Sequence, residues 1–418
     1  MAIGYACLTV GVPGTSISGC TLKNASQANL RTIILKNLSA LDTILDYNSK
    51  NHIKLFRISS DLIPFGSHPV NTITWWHDYQ DHFERLGDKI KKAGIRVSMH
   101  PGQYTVLNSK NPEVVDKAVL ELQYHARLLD TLGVDQSHKL ILHIGGVYGN
   151  KAEAASNFIG AYRNLPEEVK RRLIIENDDR SFTIDDVLQI SEVCGAPVVF
   201  DNLHHHINPP MEQCTDYEWI LRCRQTWTSM DGKQKIHYSQ QKEQALPGSH
   251  SDTIFIDSFL EYYQQIVELA PDIMLEVKDK NLSAVKCNHV LQAEATGKQL
   301  EVEWARYKYY VLSKDSRAYQ SIRELLKDKD APIAKEFYRI VENSLLLPEN
   351  PGAQVNAAQH VWGYFSKDST LSEKKRYETL MEDYTQGKIS INLVKNHLLK
   401  CATARQQDYL IHSLYFYL

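Results

Sequence analysis

Lys139-Leu140-Ile141-Leu142-His143 and, one helix-length later, Leu173-Ile174-Ile175-Glu176 are the stretches that decide the fold. Each is short, nearly all apolar, and closed by an ionisable residue. A run of this length reads as a strand rather than a helix, and its lack of polar alternation means that both faces are covered. The pattern recurs outward in both directions. Upstream lie Ile3-Gly4-Tyr5-Ala6-Cys7-Leu8, Ile53-Lys54-Leu55-Phe56-Arg57-Ile58 and Ile95-Arg96-Val97-Ser98-Met99. Downstream lie Pro197-Val198-Val199-Phe200-Asp201, Lys235-Ile236-His237-Tyr238 and Ile273-Met274-Leu275-Glu276-Val277. Between them, helical spacing runs over Leu30 to Tyr47, Trp75 to Ala93, Val114 to Leu132, Lys151 to Asn164, Thr183 to Val193, Asp216 to Gln225 and Ser258 to Leu269. Pro112-Glu113 and Thr183-x-x-Asp186 are helix-start signals, and Gly94, Gly133 and Gly195 stand where helices stop. Eight strands alternating with helices over ~280 residues predict an α/β fold, a (β/α)8 TIM barrel. An open doubly wound sheet is the alternative, but no Gly-x-Gly-x-x-Gly follows the first strand.

Beyond Lys280 the pattern changes. Trp304 to Leu312, Tyr319 to Leu326, Ala334 to Leu346, Ala357 to Phe365, Glu373 to Tyr384 and Ile391 to Cys401 have helical spacing, with no strand among them. We therefore expect a barrel domain over 1–285 and an appended all-α C-terminal domain over 298–418. From Lys298 onward there are 18 basic and 15 acidic residues; with a net charge of −3 overall, that leaves −6 for the barrel part. The 418-residue chain has ordinary globular composition, 43% hydrophobic and 23% charged, and no basic tail that would hold nucleic acid by charge alone. No apolar run approaches the ~18 residues that span a bilayer. The N-terminus shows no signal-peptide pattern, and seven cysteines without a Cys-x-x-Cys pair make neither a disulfide framework nor a zinc ribbon. A cytoplasmic protein without a membrane partner is expected.

The chain carries 17 histidines, and their placement is informative. In a parallel barrel the active site lies at the C-terminal ends of the strands. There the sequence puts His100, His143, Glu176, Asp201, His204, His237 and Glu276. Any one of them alone has an ordinary reading as a hydrogen-bonded core histidine, a helix cap or an Asx-turn. Together they would bury many ionisable groups on one mouth, at several kcal/mol per charge without a cation. Four histidines and three carboxylates exceed the three or four ligands of one ion, so two or three divalent ions are expected. Clustered cations suit phosphate esters, whose oxygens they polarise.

Met99-His100-Pro101-Gly102-Gln103-Tyr104, Leu142-His143-Ile144-Gly145-Gly146, Ile175-Glu176-Asn177-Asp178 and Asp201-Asn202-Leu203-His204-His205 resemble the UV damage endonuclease family. Phe65-Gly66-Ser67-His68-Pro69, Lys235-Ile236-His237, Pro247-Gly248-Ser249-His250 and Leu275-Glu276-Val277-Lys278 follow in the family's order, so the resemblance covers roughly residues 1 to 285. It implies a metal-dependent DNA repair endonuclease, related in architecture to the endonuclease IV type of abasic-site enzyme. Such enzymes nick damaged double-stranded DNA on the 5′ side of cyclobutane dimers, 6-4 photoproducts and some other lesions. The expected metal is manganese (Mn2+), with Zn2+, Co2+ or Mg2+ as alternatives. Carried over by position, the resemblance puts His100, His143 and Glu176 on one ion. Glu176 would bridge to a second ion held by Asp201, His237 and Glu276, and His204 and His250 would serve a third. Lys235 matches a lysine that can be carboxylated, its ordinary reading being a solvated strand-end lysine. His68 and Tyr5 match substrate-side residues, and Gln103 and Tyr104 match those that probe the helix at a lesion. The asparagine that follows Tyr5 in the family is absent, with Asn24 as a candidate substitute. His360-Val361-Trp362-Gly363-Tyr364-Phe365, Leu371-Ser372 and Tyr384-x-x-Gly387 resemble a small helical domain of uncharacterised role, its aromatics read as core rather than as a nucleobase platform. The competing functions are an abasic-site endonuclease, a sugar isomerase or epimerase on a similar barrel, and a catalytically silent damage-binding protein. The last needs a missing ligand, and every expected metal position is filled.

Overall fold

The apolar runs become strands because they pair on both edges and are covered on both faces, which favours apolar residues along most of their length. In the computed structural model, which describes residues 1–292, 297–329 and 331–418, eight parallel strands close into a barrel in sequential order. They are β1 (Ile3–Ala6), β2 (Leu55–Ile58), β3 (Arg96–Met99), β4 (Leu140–His143), β5 (Leu173–Glu176), β6 (Val198–Asp201), β7 (Lys235–Tyr238) and β8 (Asp272–Leu275). β1 closes the ring against β8 with Ile3 opposite Ile273. The (β/α)8 barrel and the helical C-terminal region read from the sequence are both present.

Strand periodicity positions the site. Residues two apart share a face, so the inward side chains form layers. Ile141, Ile174 and Val199 pack together as one buried apolar cluster. Two residues further along the same strands stand His143, Glu176 and Asp201. The apolar layer is thus the floor on which the ionisable layer rests.

Most helices lie where their spacing predicts them. Thr183 starts Ile184–Cys194 with a reciprocal capping box to Asp186, and Gly195 stops it in a left-handed conformation at φ 77°. Three differences have local causes. The helix expected from Trp75 to Ala93 is two, Trp75–Asp78 and Gln80–Ala93, broken at Tyr79. Asn202–Ile207 was not anticipated, because six residues rich in histidine have no apolar stripe to read. The helix that follows β8, Asn281–Leu291, was also missed: Leu282, Ala284, Val285 and Cys287 are all buried, so burial runs round the helix and the amphipathic signal is lost.

Two compact units divide the described chain, Met1–Thr9 with Gly14–Val285, and Val10–Pro13 with Lys286–Leu418. The second unit is all helical from Gly297–Leu312 to Ile391–Ala404, followed by short turns. Phe365, Tyr377, Tyr384, Val394, Leu398 and Tyr415 are buried in its core, and Trp362 stacks on Tyr377 at 4.3 Å. Among the described residues no helix is long and apolar enough to cross a membrane.

Candidate metal centre

Glu176 closes β5 at the centre of the barrel mouth, 1% exposed. Its Oε1 accepts from His237 Nδ1 at 2.5 Å, while Oε2 lies 3.1 Å from His100 Nε2 and 3.7 Å from His143 Nε2. Three donor sets of metal-binding size share it, His100–His143–Glu176, Glu176–Asp201–His204 and Glu176–His237–Glu276, each with ligand atoms within 4.8 Å of one another. Asp201 therefore falls with His204 rather than with His237 and Glu276. The cause is local: Asp201 caps the helix Asn202–Ile207, and its Oδ1 accepts from the His204 backbone N–H at 2.8 Å. His250, half-buried on the loop after β7, lies outside these sets, with Nε2 3.9 Å from Glu276 Oε2.

The hydrogen bonds of the rings indicate what the mouth is built to hold. A carbonyl only accepts, so His100 donates from Nδ1 to Pro101 O at 3.0 Å and His204 donates from Nδ1 to Asn177 O at 3.0 Å. Neutral His100 then turns an Nε2 lone pair toward the Glu176 carboxylate, an opposition that a cation between them resolves. Asp201 Oδ2 and His143 Nδ1 are buried and lack hydrogen-bond partners among the described residues. Orphaned acceptors of this kind, with hard carboxylate and borderline imidazole donors, fit divalent ions.

The electrostatics follow from burial and crowding. Burial opposes charge on Glu176, yet His237 and His143 beside it, and the hydrogen bond from His237, hold its carboxyl well below the usual range. Burial pushes Asp201 up to about 7. Burial would lower His204, but the charge of Asp201, then of Glu176 and Glu276, raises it to about 9. His237 is brought down to about 4 by burial. Lys235 is 1% exposed, and burial followed by Arg96 and Arg57 drives its amine well below the ordinary lysine value. The solvated reading of Lys235 does not survive this placement: alternation puts it on the inward face, one layer beneath His237.

Sequence reasoning missed three supporting groups. Arg57, buried on β2, donates to Glu276 Oε1 at 2.5 Å and to His237 Nε2 at 3.0 Å. An arginine inside an apolar run was the available signal. Asn177, fully buried beside Glu176, exchanges two hydrogen bonds with the Asp201 backbone. Ser60 donates to the His100 carbonyl at 3.1 Å and is backed by His125 Nε2 at 2.8 Å, a contact between distant segments with no local signature.

The remaining expected site residues differ in exposure. Gln103 and Tyr104 sit on the turn after His100, Tyr104 at 71% exposure. His68 is exposed on the loop after β2, where its Nδ1 accepts from Val70 N–H at 3.1 Å. Tyr5 differs from expectation. It is 0% exposed, and its hydroxyl bonds Thr9 at 2.7 Å and Asn48 at 2.8 Å, so it presents no surface to a ligand. The inward side chains of β1 are those of Gly4 and Ala6, and Tyr5, between them, points away from the barrel axis. Thr9 and Asn48, rather than Asn24, are the polar partners of the Tyr5 hydroxyl.

Residues 2–304 match the family model described as UV-endonuclease UvdE, and residues 308–418 match one described as a protein of unknown function, DUF1722. A UV DNA damage endonuclease of Clostridium perfringens is 42% identical over 360 residues, 84% of each chain. One of Bacillus cereus strain Q1 is 32% identical over 274 residues, 65% of this chain and 86% of that one. Among solved structures, "Crystal Structure of SacUVDE" aligns with a TM-score of 0.66 and 39% identity, covering 72% of this chain and 99% of that one. With the match running unbroken from β1 past β8, this protein is a nuclease of the UV-endonuclease UvdE family, extended by a second family region at its C-terminal end.

Proposed function

We propose that the enzyme nicks damaged double-stranded DNA on the 5′ side of UV photoproducts, cyclobutane dimers and 6-4 photoproducts among them, using two or three divalent ions, manganese first. The observation that carries this reading is the sharing of Glu176 by three donor sets at the mouth of a barrel of this family. His100, His143 and Glu176 would hold one ion and Glu176, His237 and Glu276 another, with His250 at the edge of this second set and Asp201 and His204 completing a third. When bound, such ions supply charge neutralisation on the phosphodiester and activation of water near neutral pH.

The protein's own groups do the rest. Arg57 fixes Glu276 and His237 in place through its two donated bonds. Asn177 and Ser60 do the same for the Asp201 and His100 backbones. Lys235, kept neutral by burial, is a nucleophilic amine able to take up carbon dioxide as a carbamate and so add a carboxylate to the mouth. Gln103 and Tyr104, on an exposed turn beside His100, are placed to fill the gap where damaged bases leave the stack; extrusion is least costly where a lesion already weakens stacking. His68 is a candidate contact for the DNA backbone. None of the seven cysteines is in a disulfide, which suits a cytoplasmic enzyme.

The test combines metal analysis with nicking of irradiated, abasic-site and intact duplexes. Cleavage of the irradiated duplex alone, dependent on bound divalent ions, is the expected result. Cleavage confined to the abasic-site duplex would replace this reading with the endonuclease IV type of activity.

A further inference from the structure

Tyr148 lies on the loop after β4, five residues beyond His143, and is built like Tyr104 on the loop after the neighbouring strand. Tyr104 folds its ring over Gly102, where a Cβ would stand 2.5 Å from it. Tyr148 folds its ring over Gly146, where a Cβ would stand 3.2 Å away. Each loop thus runs from a mouth histidine to a Gly-x-Tyr whose glycine is the floor for the ring. Tyr148 is 44% exposed, and among the described residues its hydroxyl has no hydrogen-bond partner.

The two loops are tied together. Asn108, four residues after Tyr104 and fully buried, donates from Nδ2 to the Gly146 carbonyl at 2.8 Å. A Cβ on Gly145 would meet Asn108 Oδ1 at 2.3 Å and Val106 Cγ1 at 3.2 Å. The backbone of Tyr148 is also unfavourable for its residue type, with φ at 46°, in the left-handed region that suits glycine or asparagine. Stability alone would choose a smaller residue at an exposed, strained turn where the ring rests only on a glycine. Strain retained beside a functional site points to a use for the side chain.

We propose that Tyr148 is a second base-stacking residue, which takes the face of a nucleobase in the damaged duplex while Tyr104 takes another. The inference rests on the reading of the enzyme as a lesion-specific endonuclease. A flat aromatic is tolerant of base identity, which suits lesions of differing sequence. Two rings on tied loops present their faces in a fixed relation, so the ordering cost of the second stack is met by the fold.

The experiment compares Tyr148→Phe, Tyr148→Ala and Tyr148→Asn in the full chain. It reads Tm, metal content, affinity for irradiated and intact duplex, and the fluorescence of 2-aminopurine placed beside the photoproduct. Tyr148→Asn should match or exceed the parent in Tm, because its residue suits the backbone, and should keep its metals. It and Tyr148→Ala should nevertheless lose affinity for irradiated duplex by roughly 5- to 150-fold, the range that one aromatic stack accounts for, with a weaker 2-aminopurine response. Tyr148→Phe should restore both. Ala and Asn variants that discriminate like a discriminating parent overturn the inference alone, as does a Phe variant as impaired as Ala. A parent that treats irradiated and intact duplex alike overturns the functional reading, and this inference with it.

Discussion

Glu176 faces three imidazoles at once, and this makes it the most sensitive residue of the mouth. Glu176→Gln keeps the shape but removes the charge that His100, His143 and His237 surround. We expect a loss of nicking on the order of 100-fold or more, with two ions weakened together, read by steady-state rates and metal content. Full activity with parental metal content would remove Glu176 from the site. Gln103→Ala with Tyr104→Ala should spare the ions and reduce discrimination between lesion and intact duplex by roughly 5- to 150-fold. A double variant that binds each duplex as the parent does would reduce Tyr104 to a packing residue. At this scale the sequence was readable where a charged or histidine residue closes an apolar run, as at His143, Glu176 and Asp201. It was unreadable where the partner is distant, as for Ser60 with His125. Tyr5 was misread because its motif carries no record of which face of β1 it occupies.

The seam between β3 and β4 is paired over the shortest length in the barrel, with Met99 opposite Leu140. A side chain reinforces it. His138, on the turn before β4, accepts the Val97 N–H at 3.0 Å through Nδ1, and burial brings its pKa down to about 4. In the unfolded chain the ring titrates near 6.5, so the unfolded state takes up the proton first. The contribution of His138 is therefore intact above about pH 6.5 and is lost as pH falls toward 4, roughly 3 kcal/mol in all. The Tm of the metal-free protein should fall across that window, and His138→Asn should flatten the slope while lowering the plateau. Parallel curves for parent and variant would assign the acid sensitivity elsewhere. Strands of four residues were legible as elements because short apolar runs alternate with helix-length amphipathic stretches, several of the runs closing on an ionisable residue. Register was not: hydropathy does not say that one seam is stitched by a histidine, nor that Asn281–Leu291, buried all round, is a helix.

Every candidate ligand precedes Lys280, and the barrel is complete at β8. A chain ending near Gly297 is accordingly expected to fold, keep its ions and nick short irradiated duplexes, and the loss of a region with a net charge of +3 should make binding to longer DNA less salt-dependent. A soluble, metal-loaded but inactive truncation would mean that the C-terminal region completes the active site. That region's helices were legible from spacing and its aromatics as core from the same periodicity, whereas the membership of Val10–Pro13 was not. Val10–Pro13 belongs to the second unit, where a Cβ on Gly11 would meet Leu414 at 2.6 Å, and no local pattern joins residues so far apart. The same feature governs how the polypeptide matures on the ribosome. β1 is made well before its partner β8, and Val10–Pro13 long before the Leu414 that meets Gly11. At roughly 5–20 residues per second, β1 waits on the order of tens of seconds for β8, with the edge that β8 will cover unpaired for most of that time. Chaperone demand during synthesis is thus written into the order of the elements.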